Sequence, residues 1–305
     1  MERKVIKVEN ILEPLRIDKY LSNTLKEYSR EYIKVLCKNG FVKLNNKVIV
    51  EPDKKVYNGD EIEVTIPKRE DFINVGQIEG LEIIYENEDL LVINKPAFVK
   101  VHPAKKFDEE ITLLDFLLKK FPSFKDNKWP LNRPFLVHRL DKETTGVLLI
   151  AKTPKMQFSL SKQFQKREIK KAYRAIVAGK VLKKQIEVIA PIKKERNFSK
   201  IDFLGKDAKT DFKVLSSTEK YSYLEIYPKT GRTHQIRTHL SFIGYPIIGD
   251  VFYGGPKKVE DKDVPRVMLH AYSIEFFDYR RKIWRKFIAE LPLDFRFFLS
   301  FLSLD

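Results

Sequence analysis

The chain has 305 residues, of which 43% are hydrophobic, so it is long enough for two domains or one large one. Its net charge of +16 favours a polyanionic partner, either nucleic acid or an anionic membrane surface, although a lysine-rich soluble enzyme would have the same balance. The single cysteine, Cys37, excludes a disulfide framework and a zinc ribbon. The sequence contains no run of about 18 apolar residues, so no membrane span is predicted.

The N-terminal part predicts a small α+β module. Apolar residues recur at helical spacing over 16–28, and Ser29 is placed to cap a second helix that ends at Gly40. Two short strands are predicted around a turn at Asn45-Asn46, and a further strand follows in EIEVTIP.

This module resembles the S4 RNA-binding domain. The resemblance rests on RIDKYL, SREYIK, GFVKLNNKVI and KVYNGDEIEV, and it covers nearly all of residues 14–66. It implies two helices that present basic side chains to RNA, although the same charges would also suit solvated helix faces. The candidate phosphate contacts are Arg16, Lys19, Arg30 and Lys34.

The composition changes after the module. We predict an S4-like domain over 1–68, a polar linker over 69–80 and a second domain over 81–305. Residues 1–68 carry a net charge of +3 and the remainder carries +13, so the basic surface lies mostly outside the small module.

The second domain is rich in predicted strands. Helices are predicted over 153–165, with Thr153 as cap and Pro154 in the first turn, and over 232–244, starting at Arg232. This pattern predicts an α+β fold built on a largely antiparallel mixed sheet. The predicted strands lie in LEIIYENEDLLVINKP, GVLLIAKT, KKAYRAIVAG, YSYLEIYPKTG, VMLHAYSIEFF and KIWRKFIAELP.

The segment PFLVHRLDKETTGVLLIAK (134–152) brings charged residues to the mouth of an apolar strand. Asp141 lies beside Arg139 and Lys142, and we expect it to stay ionised because nearby positive charge favours the carboxylate. Nucleophilic or base catalysis requires an ionised carboxylate. The alternative is a loop carboxylate that binds backbone N–H groups.

The segment PKTGRTHQIRTHLSFIGYPIIGD (228–250) carries further candidates. His234 and Arg237 share one side of the predicted helix, and the arginine could pair with a carboxylate that the sequence does not identify. His234 and His239 do not share a helix face, and HExxH is missing from the sequence, so no zinc site is predicted. A polar helix surface is the alternative interpretation.

Together these segments resemble the RluA/RluD family of pseudouridine synthases. HRLDKETTGVLLIAK is similar to the motif around the family's catalytic aspartate, with Glu143 and Thr145 where Asp and Ser are commoner. GRTHQIRTHL followed by GYPIIGD matches the second signature, and NKPAFVKVHP matches the opening motif with Phe98 where Gly is usual. KKAYRAIV and RVMLHAYSIEF match later motifs, so the resemblance covers residue 80 to about 295.

The resemblance implies a role for each matching residue. Asp141 starts the reaction by attacking the sugar at C1′ or by assisting elimination to a glycal. Tyr173 stacks on the base and is placed to help remove the C5 proton, with a core aromatic as the alternative. Arg237 pairs with the catalytic aspartate, and Arg232 is the second candidate for that role.

The resemblance also implies a uridine extruded from the RNA stack, with Arg139 filling the vacated space. RNA contacts in the second domain are assigned to Arg139, Arg232 and His138. Basic segments that contain aromatic residues are expected to line the RNA surface, either as stacking sites or as solvated faces. These segments are 119–128, 162–174 and 193–200.

The implied partner is structured RNA. The S4 module favours large-subunit ribosomal RNA, and transfer RNA stays open. The family implies a monomer that needs no metal, nucleotide or redox cofactor and no membrane, and the missing signal-peptide stretch predicts the cytoplasm. Two alternatives are a non-catalytic ribosome assembly factor and a metal-dependent hydrolase. The intact Asp141, Tyr173 and Arg237 argue against the first, and the absence of metal-ligand spacing argues against the second.

Overall fold

The computed structural model describes residues 2–66, 78–103, 110–125 and 135–305. These residues form two compact units, one mainly over 2–66 and one over 78–102 and 112–305. The predicted boundary at residue 68 and most of the predicted linker fall in 67–77, outside the described residues.

The described residues contain helices, strands and short 3-10 turns at Pro122–Lys125 and Val251–Tyr253. The helices are α1 (Ile17–Thr24), α2 (Arg30–Lys38), α3 (Leu113–Lys120), α4 (Pro154–Lys166), α5 (Gln235–Phe242) and α6 (Leu293–Phe301). The strands are β1 (Glu2–Lys7), β2 (Leu15–Arg16), β3 (Val42–Leu44), β4 (Lys47–Val48), β5 (Lys55–Val56), β6 (Glu61–Ile66), β7 (Glu82–Glu86), β8 (Leu90–Lys95), β9 (Thr145–Ala151), β10 (Lys170–Ala178), β11 (Gln185–Ile189), β12 (Ile192–Lys194), β13 (Ser199–Ile201), β14 (Lys209–Ser217), β15 (Tyr221–Pro228), β16 (Lys258–Val259), β17 (Lys262–Asp263), β18 (Leu269–Asp278) and β19 (Ile283–Ile288).

In the first unit, α1 and α2 pack on an antiparallel sheet of order β1-β6-β3-β4. The Ser29 hydroxyl accepts the backbone N–H of Tyr32 at 3.3 Å, which caps α2 as predicted. Asn45 and Asn46 both have positive φ and form the predicted turn between β3 and β4. Helix α1 is shorter than the predicted 16–28 because Leu25 leaves helical geometry at ψ 68° and buries its side chain in the core.

A large sheet organises the second unit, with strand order β11-β14-β15-β10-β18-β9-β8-β7 and β19 paired to β18. All neighbours are antiparallel except β9 and β18, which run parallel where Thr145 and Gly146 lie beside His270 and Ala271. Every residue of β9 is buried, as expected for a central strand between two packed layers. The prediction of an α+β fold on a largely antiparallel mixed sheet is confirmed.

Helix α4 packs beside this sheet and begins at the capping residues predicted from the sequence. It begins at Pro154, and the Thr153 hydroxyl accepts the backbone N–H of Met156 at 3.3 Å, as predicted. Gln163, deep on its buried face, exchanges two hydrogen bonds of 2.9 Å with the backbone of Phe277 in β18. These bonds hold the end of α4 against the sheet next to β10.

Candidate active site

A cavity of about 510 Å³ lies in the second unit. Its walls come from the loop before β9, the end of α4, β10 and the segment that leads from β15 into α5. It gathers all the site candidates that the sequence predicts for this domain. These are Asp141, Tyr173, Arg237, Arg139, Arg232 and His138.

Asp141 lies on the loop that enters buried strand β9. The backbone N–H of Thr144 bonds the Asp141 carbonyl at 3.2 Å, which closes a tight turn before the strand. Gly146 follows with a φ of 117°, and a Cβ there would lie 2.2 Å from the Ala271 carbonyl oxygen. Only glycine lets β9 approach β18 this closely, so this contact fixes where the loop delivers Asp141.

The Asp141 carboxylate faces two nitrogen-bearing side chains. One oxygen lies 3.6 Å from Nη1 of Arg237 and the other lies 3.8 Å from Nε2 of His234. Both distances exceed the usual hydrogen-bond range of about 3.2 Å. Arg237 places positive charge beside the carboxylate, and the Asp141 side chain is 23% exposed, so the carboxylate remains open to the cavity.

Arg237 has a closer carboxylate partner than the one implied by the family resemblance. Its Nε and Nη2 donate to the two carboxylate oxygens of Asp250 at 2.6 and 2.7 Å. The guanidinium also stacks 4.8 Å from the ring centre of Tyr253. Asp250 is 1% exposed, so this buried fork fixes Arg237 and turns its remaining nitrogen toward Asp141.

His234 corrects the predicted start of the helix. The helix was expected to begin with Arg232, but α5 begins at Gln235 because His234 has a left-handed φ of 53°. The Gln235 side chain instead accepts the backbone N–H of Arg232 at 3.0 Å and stabilises the preceding turn. Nδ1 of His234 lies 2.9 Å from the Tyr253 hydroxyl. Burial lowers the pKa of His234, although the nearby Asp141 carboxylate acts to raise it. The lowered pKa favours a neutral ring at neutral pH.

Tyr173 reaches the cavity from β10 at an irregularity in the sheet. Ala172 pairs with Ser273 and Tyr173 with Ala271, so Tyr272 is an extra residue in β18. Burial raises the pKa of Tyr173 well above its usual value, and the Asp141 charge raises that pKa further. The phenol is therefore protonated at neutral pH, which favours a stacking role over that of a proton acceptor.

The three remaining candidates of this domain differ in how they are held. Nε2 of His138 accepts the backbone N–H of Leu149 at 2.9 Å, and burial lowers its pKa to about 3, so the ring is neutral and braces the loop on β9. Arg232 donates from Nε to the Asp207 carbonyl at 3.0 Å. Arg139 is exposed, with Nη1 3.2 Å from Nε2 of His102.

Lys95 is a site residue that the sequence prediction missed. It is fully buried, and its ammonium donates to the carbonyl oxygens of Pro96, Val99 and Lys142 at 2.7, 3.0 and 3.1 Å. Burial lowers its pKa to about 7, against the attraction of the Asp141 carboxylate. Lys95 therefore ties the loop of the opening motif to the loop that carries Asp141, and its place in that motif was the available signal.

Phe98 is the residue at which the opening motif departs from the family pattern. Phe98 has a φ of 63°, a left-handed conformation that favours glycine and is strained for an aromatic residue. Its side chain is 55% exposed. Position 98, where the family usually has glycine, therefore has a backbone conformation that suits glycine.

The S4 candidates lie in the first unit. Arg16 and Arg30 both donate to the fully buried carboxylate of Asp18, each with Nε at 3.1 Å. Burial opposes ionisation of Asp18, but hydrogen bonds from Arg30 and Arg16 outweigh it and hold its pKa below the usual value. Lys34 pairs with Glu31 at 3.0 Å and Lys19 is exposed. The two arginines are thus fixed at one anchor, with 46% and 44% of their side chains exposed.

The remaining histidines are structural. Nδ1 of His239 lies 2.9 Å from the Thr210 hydroxyl, and Nδ1 of His270 lies 2.8 Å from the Thr145 hydroxyl. In the part of the chain that the structure describes, no group of three or more His, Cys, Asp or Glu could hold a metal ion. Among the described helices, none combines the length and apolar character needed to cross a membrane.

Comparison with known proteins agrees with this geometry. Residues 89–242 match the family model described as RNA pseudouridylate synthase, and residues 15–62 match the S4 domain. An uncharacterized RNA pseudouridine synthase of Aquifex aeolicus is 35% identical over 95% of both chains. Ribosomal large subunit pseudouridine synthase D of Pasteurella multocida is 34% identical over 92% of this chain and 89% of its own length.

A solved structure shares the fold as well. The human RNA pseudouridylate synthase domain containing 4 protein superposes with a TM-score of 0.60 at 27% identity, over 73% of this chain and 93% of its own. The chain therefore belongs to the RNA pseudouridine synthase family and carries an S4 domain ahead of its synthase domain.

Proposed function

We propose that this protein isomerises specific uridines of large-subunit ribosomal RNA to pseudouridine, with Asp141 acting as nucleophile or base on a flipped-out uridine. The observation that carries the proposal is the open Asp141 carboxylate in the cavity, held 3.6 Å from an arginine that is itself fixed by a second, buried carboxylate. The RNA class is supported by the S4 domain and by relatives named ribosomal large subunit pseudouridine synthase D.

The reaction needs a group that opens the C1′–N1 bond and a pocket that holds the detached uracil. Asp141 either attacks C1′ or assists elimination to a glycal. The uracil then turns and rejoins C1′ through C5, while the Asp141–C1′ ester bond breaks in the first route or the proton removed from C2′ returns in the second. N1 takes up a proton, and the proton on C5 leaves. A cavity of about 510 Å³ falls within the size range of small-ligand sites, so it can retain a nucleoside during the turn.

The neighbouring side chains have complementary tasks. Arg237 stabilises the ionised carboxylate, and its fork with Asp250 keeps it in position. Tyr173, protonated at neutral pH, stacks on the uracil. Exposed Arg139 is suited to enter the space that the uridine leaves in the RNA, because its planar guanidinium can stack between bases.

Three finer points belong to the same proposal. We infer that the protein acts as a monomer in the cytoplasm without a cofactor. Light scattering of the purified chain tests the first point, since a dimer would double the mass of 36.0 kDa.

A transcriptome-wide pseudouridine map tests the proposal. It compares cells that lack the gene with the same cells rescued by the wild-type protein or by Asp141→Asn. We expect one or a few large-subunit ribosomal uridines to lose modification and only the wild type to restore them. Loss at transfer RNA positions alone would reject the proposed RNA class. Persistence of every pseudouridine, together with an inactive purified protein, would favour a non-catalytic ribosome assembly factor.

A further inference from the structure

The cavity is lined by six cationic side chains and a single carboxylate, Asp141. Two of the cations have carboxylate partners outside the cavity lining: Arg237 binds Asp250 at 2.6 Å, and Lys229 lies 3.1 Å from Asp211. The others have no carboxylate within 4 Å among the described residues. They are Arg139, Arg167, Lys171 and Arg232. The site is therefore electrostatically prepared for an anion.

Lys171 is partly buried, whereas Arg139 and Arg167 are exposed. It lies on β10 two residues before Tyr173, so both side chains point to the same face of the strand and line the cavity. Burial lowers the pKa of Lys171 to about 8. Among the described residues, none accepts a hydrogen bond from its ammonium, whereas the fully buried Lys95 donates to three carbonyl oxygens. A partly buried cation without a partner is costly, so its retention points to a ligand.

The position of Lys171 separates it from the reacting atoms. Its charge lowers the pKa of His138, so these side chains are neighbours on the α4 side of the cavity. The Asp141 carboxylate lies within 4 Å of His234 and Arg237 but not of the Lys171 ammonium. Asp141 comes from the loop before β9 and Lys171 from β10, so the carboxylate and the unpaired cation belong to different walls of the cavity.

We propose that Lys171 binds a backbone phosphate next to the flipped uridine and so fixes the nucleotide relative to Asp141. This inference rests on the proposed function. A phosphate oxygen is the anion that RNA offers, and it compensates the buried charge fully, whereas a neutral uracil carbonyl would not. Lys171 is therefore a substrate-positioning residue, and its contact acts on binding rather than on bond breaking.

The test combines a protein change with an RNA change. The variants are Lys171→Met, which keeps the length of the side chain, and Lys171→Arg, which keeps the charge. The control is Lys220→Met, an exposed lysine paired with Glu260 at 3.1 Å away from the cavity lining. The RNA is the shortest ribosomal fragment that the wild type modifies, made with natural linkages or with one uncharged methylphosphonate 5′ or 3′ of the target uridine.

We expect Lys171→Met to raise KM about 10- to 100-fold with little change in kcat, as for loss of one charge-assisted hydrogen bond. Lys171→Arg should recover most of the loss, and Lys220→Met should behave as wild type. One methylphosphonate should weaken binding to the wild type by a similar factor and cause no further loss with Lys171→Met. An unchanged KM for Lys171→Met, or equal methylphosphonate effects on both proteins, would overturn the proposal.

Two additional measurements keep the outcome clear. If Lys171→Met does not fold, as judged by its melting curve, Lys171→Gln takes its place in the same comparison. If the wild type makes no pseudouridine, the proposed function fails. Binding of a large-subunit ribosomal RNA transcript then still tests Lys171, because a phosphate contact requires Lys171→Met to bind that transcript less tightly and with a shallower salt dependence than wild type.

Discussion

Asp250→Asn tests the buried fork that holds Arg237. The substitution keeps the shape of the side chain but removes its charge and one of the two oxygen acceptors at 2.6 and 2.7 Å. Arg237 is 11% exposed and would retain only the Asp141 carboxylate at 3.6 Å as a charged partner. Breaking one side of a buried ion pair costs about 3–5 kcal/mol, and we expect the lower end because the cavity admits water. For a unit of this size that is a melting shift of roughly 6–12 °C.

Urea unfolding and turnover are measured on the same preparation of Asp250→Asn. We expect lower stability and a large loss of kcat, because Arg237 is no longer fixed beside Asp141. The matched control is Asp263→Asn, which changes an exposed carboxylate 3.7 Å from Lys258 and should alter neither property. If Asp250→Asn unfolds at the same urea concentration as the wild type and turns over normally, the fork does not position Arg237.

The remaining predictions concern the scaffold under Asp141. Lys95→Met leaves three carbonyl oxygens without their buried donor and should lower the free energy of unfolding by about 1–3 kcal/mol, as measured by urea unfolding. Because the folded pKa of Lys95 is lowered to about 7 and the unfolded pKa is about 10.4, the unfolded chain binds more protons between these values. The stability of the wild type relative to Lys95→Met should therefore rise between pH 7 and about pH 10, and a flat or falling difference would contradict the burial of its charge. Gly146→Ala places a Cβ 2.2 Å from the Ala271 carbonyl and should abolish cooperative thermal unfolding of the second unit, and a melting curve like that of the wild type would contradict the close approach of β9 and β18.

Local signals in the sequence predicted several elements accurately. The cap at Ser29, the Asn45-Asn46 turn and the Thr153-Pro154 helix start depend on the conformational preferences of those residues alone, and each appears where expected. The sheet type also followed from the alternation of short strands. These features need no knowledge of distant parts of the chain.

Features that depend on distant contacts were not predictable. The sequence gives no reason for Arg237 to choose Asp250, since loop geometry decides which carboxylate meets the guanidinium. Helix α5 starts at Gln235 rather than Arg232 because His234 takes a left-handed conformation beside Tyr253. Similarly, Lys95 has the composition of a surface residue but is buried by carbonyl groups that the fold assembles around it.

The resemblance to a known family supplied what patterns could not. It singled out Asp141, Tyr173 and Arg237, which are distant in sequence, and the structure gathers all three around one cavity. Their proposed roles are predictions. The sequence predicts Lys171 only as part of the basic segment 162–174 at the RNA surface, and the cavity shows that its side chain lines the same wall as Tyr173.

The most direct test of the account is single-turnover isomerisation of ribosomal RNA by purified Asp141→Asn. The carboxylate is partly exposed and lies 3.6 and 3.8 Å from its neighbours, so the substitution should leave the melting temperature and RNA affinity close to wild type. We predict that Asp141→Asn binds the RNA and forms no pseudouridine. Product formation at the wild-type rate would show that Asp141 is not the group that starts the reaction.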